Sequence, residues 1–325
     1  MGSEIVDKSL EKRVSWNRQI LEKAYWYYPV DDKGYEDFMP VGRGVPASDY
    51  CGLHRGFVTC NNVEGHKGHV FKGQDTTGKV LVRQQHFWCK KSVCPVCFIR
   101  GWSVRGANKI EARLNTAVNR GFGKVEHIVV SLPDSDYGLW YEHFRRKVLK
   151  IAFACRVIGG CMIFHGFRID SARKVLAWSP HFHVLGFIGG GYDVCRRCKG
   201  GDCYKCGGTD GASYRIYRKS GYIVRVLDER LTVFGTAWYQ LNHATTRIGI
   251  KRFPVITWFG KCGYRNFKAD EPFFAGVPCD VCCEIMDRGF HVGKRHIVKH
   301  LGRVGYARVF LDDEFDESGK PNYVD

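Results

Sequence analysis

Residues 179–187 read SPHFHVLGF. Side chains alternate faces along a strand, so His181 and His183 point one way and Phe182 the other. Two imidazoles on one face are poor core filler. They suit a bidentate metal platform or a pair of acid–base groups. Neutral imidazoles favour Mn²⁺, Co²⁺ and similar ions as a class. Mg²⁺ is usable where phosphate and water add oxygen ligands. Downstream, in AWYQLNHATTR, Tyr239 and His243 stand four apart on an expected helix and so share a face. An ordinary exposed helix would carry such a pair too; the His pair is what makes it specific. A tyrosine hydroxyl can attack a phosphodiester when a metal neutralises the phosphate and orients it for in-line displacement. His243 is then a third metal ligand or a proton-transfer group, and His165 and His127 compete for the ligand role.

The cysteines are the second chemical signal. Cys195, Cys198, Cys203 and Cys206 form two CxxC pairs separated by glycine-containing turns. Four thiolates at this spacing suit a structural Zn²⁺, with an iron–sulfur cluster as the alternative. The loop is too short for a core of its own, so the metal is expected to stabilise it. Cys89, Cys94 and Cys97 make a second set that needs a fourth ligand. Cys60 is the expected one, with Cys51, His54, His66, His69 and His86 in competition. Cys279 and Cys282 are a possible third zinc pair, completed by Cys262 or by one of His291, His296 and His300. Cys155 and Cys161 read as buried thiols.

These groups need elements to hold them. Residues 103–120 carry Ile110, Leu114 and Ala117 at helical spacing. Residues 124–133 read as a strand closed by proline, and 137–158 as a long amphipathic helix stopped by Gly159 and Gly160. Residues 161–169 and 175–188 are two strands joined by DSARK, which suits an antiparallel connection. Strand 222–227, helix 231–247 and strand 254–260 follow. The expected fold is α+β, a central antiparallel sheet with helices on one face. Three regions are expected: an N-terminal arm and Cys/His module over 1–110, a central domain over 111–260 with the cysteine insertion at 190–212, and a basic region with an acidic tail over 261–325.

The 50 Lys and Arg against 33 Asp and Glu leave +17, which points to a polyanion and above all to nucleic acid. The first residues have no apolar stretch of a secretion signal, the Met-Gly-Ser start fits a myristoylation motif poorly, and no apolar run is long enough for a membrane span. CxxC pairs suit a reducing compartment. An intracellular, cytoplasmic protein with no membrane association is therefore expected. No GxxxxGK[ST] loop is present, so no built-in motor of that type is expected.

HIVVSLP, MIFHGFRI, SPHFHVLGFI and WYQLNHA, with the CPVC knuckle ahead of a basic helix, resemble the motifs of HUH endonucleases, and more widely the rolling-circle replication initiators of archaeal plasmids and viruses. The resemblance spans roughly residues 89–260. It implies an antiparallel sheet carrying His181 and His183 as ligands of Mg²⁺ or Mn²⁺, and Tyr239 as nucleophile on a nearby helix. It implies nicking of single-stranded origin DNA, a 5′-phosphotyrosine intermediate, a free 3′-OH for a host polymerase, and later rejoining. His243 stands where two-tyrosine members place their second tyrosine, which suggests a single-tyrosine enzyme. Strand separation would fall to a host helicase. Trp102, Trp140 and Trp178 are candidates for base stacking, or for core. A transposase or relaxase with the same chemistry, a nuclease using water, and a zinc-containing DNA-binding regulator without catalysis are the alternatives.

Overall fold

The computed structural model describes Leu10, Val14 and Ser15, residues 28–31, 37–71, 73–189, 221–227, 232–250, 253–269, 277–279, 281–282, 284–288 and 304–307. The cysteine insertion with Cys195, Cys198, Cys203 and Cys206 lies outside them, as do His291, His296 and His300. The chain divides into two compact units. One comprises residues 1–49 and 89–271, the other 50–88 and 272–325. This differs from the expected 1–110, 111–260 and 261–325. The C-terminal region is no separate module, because its strands complete a sheet begun before residue 88.

The strands of the first unit are β1 (Phe38–Pro40), β2 (Glu126–Ser131), β3 (Val157–Asp170), β4 (Val175–Ile188), β5 (Ile223–Leu227), β6 (Thr245–Arg247) and β7 (Ile256–Gly260). Its helices are α1 (Ser103–Asn119), α2 (Tyr141–Ala154) and α3 (Val233–Asn242). The main sheet has the order β7-β3-β4-β2-β5 and is antiparallel throughout. The long hairpin β3–β4 forms its centre. β1 pairs with β6 as a small separate ribbon.

Helices cover both faces of the sheet, not one as expected. Phe144, Val148 and Ile151 of α2 pack on Phe164, Phe182, Val184, Ile128 and Val130. Ile110 and Leu114 of α1, with Ala237 and Leu241 of α3, pack on Cys161, Ile163, Leu185 and Phe187 of the other face. β3 and β4 are apolar at successive positions through their middle, so both faces need shelter from water. Each such side chain contributes about 1.5–3 kcal/mol on full burial.

α3 is placed by its own cap and by α1. Thr232 Oγ1 accepts from the Gly235 amide at 2.9 Å and starts the helix. The Glu111 carboxylate of α1 accepts from the Phe234 amide at 3.1 Å. Trp238 Nε1 donates to the Ile99 carbonyl at 3.1 Å. The helices meet closely at Gly106, where a Cβ would lie 2.7 Å from Leu241 Cδ1. α3 ends at Asn242, short of the expected 247. Residues 245–247 instead extend and pair with β1, as suits the β-branched Thr245 and Thr246.

In the second unit, strands His54–Cys60, Val80–His86, Val277–Pro278, Ile285–Arg288 and Val304–Ala307 form a five-stranded sheet. The first two are neighbours. Ile285–Arg288 pairs with the first and Val304–Ala307 with the second. No helix among the described residues is long and apolar enough to cross a membrane.

Candidate metal centre and cleft

His181 and His183 sit on β4 and face the α1–α3 side. Register adds a third imidazole, because His165 on β3 stands directly opposite His181. One ligand nitrogen from each of His165, His181 and His183 lies within 4.8 Å of the others. The ring centroids are 4.4 Å apart for His165–His183, and 5.2 Å for His165–His181 and His181–His183.

A bulge sets the trio. Beyond His165 the β3–β4 register shifts, so that Ser179 and Pro180 stand against Gly166 alone. Pro180 has no amide for the ladder. The Gly166 amide leaves the ladder too and donates to Thr245 Oγ1 at 2.7 Å. The Ser179 carbonyl accepts a hydrogen bond from His181 Nδ1 at 2.7 Å. Arg168 Nε lies 3.4 Å from the same Nδ1. The carbonyl contact is the shorter and fixes the proton on Nδ1; Arg168 then acts on this ring through its charge.

The other two rings are oriented in the same manner. His183 Nδ1 and His127 Nε2 are 2.8 Å apart, and the Gln240 amide nitrogen lies 3.4 Å from His127 Nε2. An amide nitrogen only donates, so His127 Nε2 accepts and His183 Nδ1 carries the shared proton. His165 donates to the Gln240 carbonyl, while its Nε2 is buried without a partner. Each ring therefore keeps an unprotonated Nε2. A buried nitrogen with no partner is costly, and a cation among the three removes that cost.

Burial pushes all three histidines towards the neutral form. His181 is pushed down to about 3 by burial, then by the Arg168 charge. His183 and His165 fall well below the ordinary histidine value, first by burial and then by neighbouring imidazoles. Neutral imidazole is the ligating form.

The trio opens into a cleft of about 370 Å³ also lined by His127, Arg168, Tyr239, Gln240 and His243. No Asp or Glu among the described residues lines it. Tyr239, on α3, packs edge-on against His243, the C-cap residue, with ring centroids 4.3 Å apart. His243 thus lies in the cleft beside the tyrosine, and His165 takes the place expected for it in the trio. His127 sits one layer behind, against His183. Arg168 and Gln240 were not legible as site residues. Pro180 inside a strand pattern was the one available sign of the bulge.

Two cysteine clusters are resolved differently from expectation. Cys89, Cys94 and Cys97 lie in the first unit, with Cys89 Sγ 3.5 Å from Cys97 Sγ. Cys60, expected as their fourth ligand, lies in the second unit. Cys60 joins His66, Cys279 and Cys282 in a second group. Cys60 Sγ is 3.4 Å from Cys282 Sγ, and His66 Nε2 is 3.2 Å from Cys279 Sγ and 3.5 Å from Cys282 Sγ. His66 Nδ1 donates to the Lys79 carbonyl at 2.9 Å, which turns Nε2 to the sulfurs. Cys262, expected as a completing ligand, is buried elsewhere. Three sulfurs with an imidazole, as in the group around Cys60, are a donor set of structural zinc. Burial drives the Cys60 thiol up to about 12 and raises Cys279 as well. Thiolates there require a cation to balance them. Cys155 and Cys161 are buried and belong to neither cluster.

Compared with protein-family models, curated proteins and solved structures, the chain matches none.

Proposed function

We propose that the cleft is the nicking and joining site of a metal-assisted DNA strand transferase, with Tyr239 as nucleophile. The observation that carries this reading is the set of groups in one cleft: three neutral histidines, a tyrosine, an arginine and, among the described residues, no carboxylate. Three imidazoles leave the full charge of a divalent ion uncompensated, and such a site attracts an anion. The net charge of +17 points to a polyanion as its source.

His165, His181 and His183 would hold the ion. When bound, it supplies charge neutralisation and orientation of a phosphodiester. The Tyr239 oxygen forms a bond to phosphorus as the bond to the 3′-oxygen breaks. Tyrosine loses its proton and the 3′-oxygen gains one. His243, edge-on to the tyrosine ring, is placed to move that proton. The products are a 5′-phosphotyrosine and a 3′-OH. The ester bond count is unchanged, so the reverse step rejoins the strand without ATP. Initiation of rolling-circle replication is the use this chemistry serves best, on single-stranded origin DNA with a host helicase and polymerase. Transposition and conjugation use the same step. The donor set favours Mn²⁺ over Mg²⁺.

Three neutral histidines are also a donor set for zinc that activates water, which is the second reading. One experiment separates the two. The protein is incubated with a labelled pool of single-stranded DNA from its own replicon and Mn²⁺, then run on a denaturing gel. A labelled protein band, lost with EDTA and with Tyr239→Phe, is the expected result. Cleavage with no protein-linked label would make water the nucleophile. Salt-sensitive binding without cleavage, from a pool shown to contain the origin, would leave a zinc-stabilised DNA-binding protein.

A further inference from the structure

Arg168 lies on β3, three residues beyond His165, with its side chain exposed in the cleft. Its Nη2 donates to Ser131 Oγ at 2.6 Å, and its Nε stands 3.4 Å from His181 Nδ1. Neither partner is an acid. Among the described residues no carboxylate lines the cleft, and no ion pair includes Arg168. Arg225 on β5 is exposed and adds a second positive charge felt at Arg168. A guanidinium beside a cation-binding trio is repelled by any ion that enters, and by Arg225. The arrangement becomes favourable when an anion sits between the positive charges. A guanidinium fork matches two oxygens of one phosphate.

We infer that Arg168 is a substrate-contacting residue, which takes the non-bridging oxygens of the phosphate seated at the His165–His181–His183 trio. Ser131 holds the fork from β2, on the far side of β4. Arg168 then has two consequences for the substrate. It fixes the phosphate's rotation about the metal, so that one ester oxygen faces Tyr239. It also neutralises charge left over on the five-coordinate phosphorus. The inference rests on the reading that this cleft receives a phosphodiester, and its test is separable from that reading.

The full-length protein is loaded with Mn²⁺, and inorganic phosphate is the probe. Broadening of the ³¹P resonance reports phosphate near the ion, and Mn²⁺ binding is followed by electron paramagnetic resonance. Arg168→Ala is expected to weaken phosphate binding about tenfold or more, the worth of one charge-assisted contact. Mn²⁺ binding should be unchanged. Arg168→Lys, which keeps the charge and loses the fork, should recover part of the loss. Adduct formation with single-stranded DNA should slow in the same order, and added guanidinium should partly restore Arg168→Ala. Wild-type phosphate affinity in Arg168→Ala overturns the inference. Joint loss of Mn²⁺ and phosphate also overturns it, making Arg168 a support for His181. If the alanine variant does not fold, Arg168→Lys decides alone, and wild-type phosphate affinity and adduct rate in it are the negative result. Arg168-dependent phosphate binding in a protein that forms no adduct would sink the transesterase and leave this contact standing.

Discussion

His127 acts through another residue. Its Nε2 receives the His183 Nδ1 proton at 2.8 Å, and that contact decides which nitrogen of His183 is left for a metal. Loss of such an orienting partner typically costs 10–100-fold in metal affinity. His127→Ala should therefore weaken Mn²⁺ binding by about one to two orders of magnitude, read by electron paramagnetic resonance titration. His127→Gln, whose carbonyl oxygen can accept the same proton, should recover part of it. Equal Mn²⁺ affinity in both variants and the wild type would remove His127 from the site. The partner was visible in the sequence only as one of several histidines. Period-two alternation put His181 and His183 on one face, but it carries no register. The choice of His165 over His243 depends on β3 and β4 pairing so that His165 meets His181, and that is fixed by packing over the whole hairpin.

At the scale of elements, the site depends on how closely α3 lies on α1. Gly106 leaves 2.7 Å between a notional Cβ and Leu241 Cδ1, so any larger residue must displace α3. Leu241 is two residues beyond Tyr239 on that helix. Gly106→Val should lower stability by roughly 1–3 kcal/mol, the usual cost of overpacking. It should also reduce adduct formation by a factor beyond what the unfolded fraction explains, checked by thermal melts alongside single-turnover assays. An unchanged rate in the folded fraction would show that α3 tolerates the shift. The elements themselves were readable from period and punctuation. Residues 103–120 and 175–188 came close to the observed α1 and β4. The end of α3 was not, since residues 245–247 leave helical spacing to pair with β1, some two hundred positions away. The second helical layer was legible but not drawn: apolar residues at successive positions of β3 and β4 mean two buried faces, and helices cover both in the fold.

At the scale of the whole molecule, Cys60 shows the limit of spacing arguments. It stands closer in sequence to Cys89 than to Cys279, yet it is the pairing of strand Ile285–Arg288 with strand His54–Cys60 that gathers its true neighbours. Cys60→Ser and Cys279→Ser should each remove the same one equivalent of zinc from the purified protein, and the double variant should remove no more. Elemental analysis checks this. Loss of two equivalents in the double variant would mean that the two cysteines serve different ions.

The ligands of this second centre have a temporal consequence. His66 and Cys279 are 213 residues apart. At ordinary synthesis speeds of 5–20 residues per second, roughly 10–40 s separate the emergence of one from that of the other. During that interval strands His54–Cys60 and Val80–His86 lack the two partner strands that the C-terminal segment supplies, while the segment carrying the histidine trio and Tyr239 is completed before the interval ends. Closure of the Cys60–His66–Cys279–Cys282 centre is thus a signature of a chain made at least as far as Cys282. A ribosome that stops between the two segments releases a molecule with the histidine trio and Tyr239 but with bare strand edges and unbalanced thiols, the kind of surface by which a cell recognises and clears incomplete products.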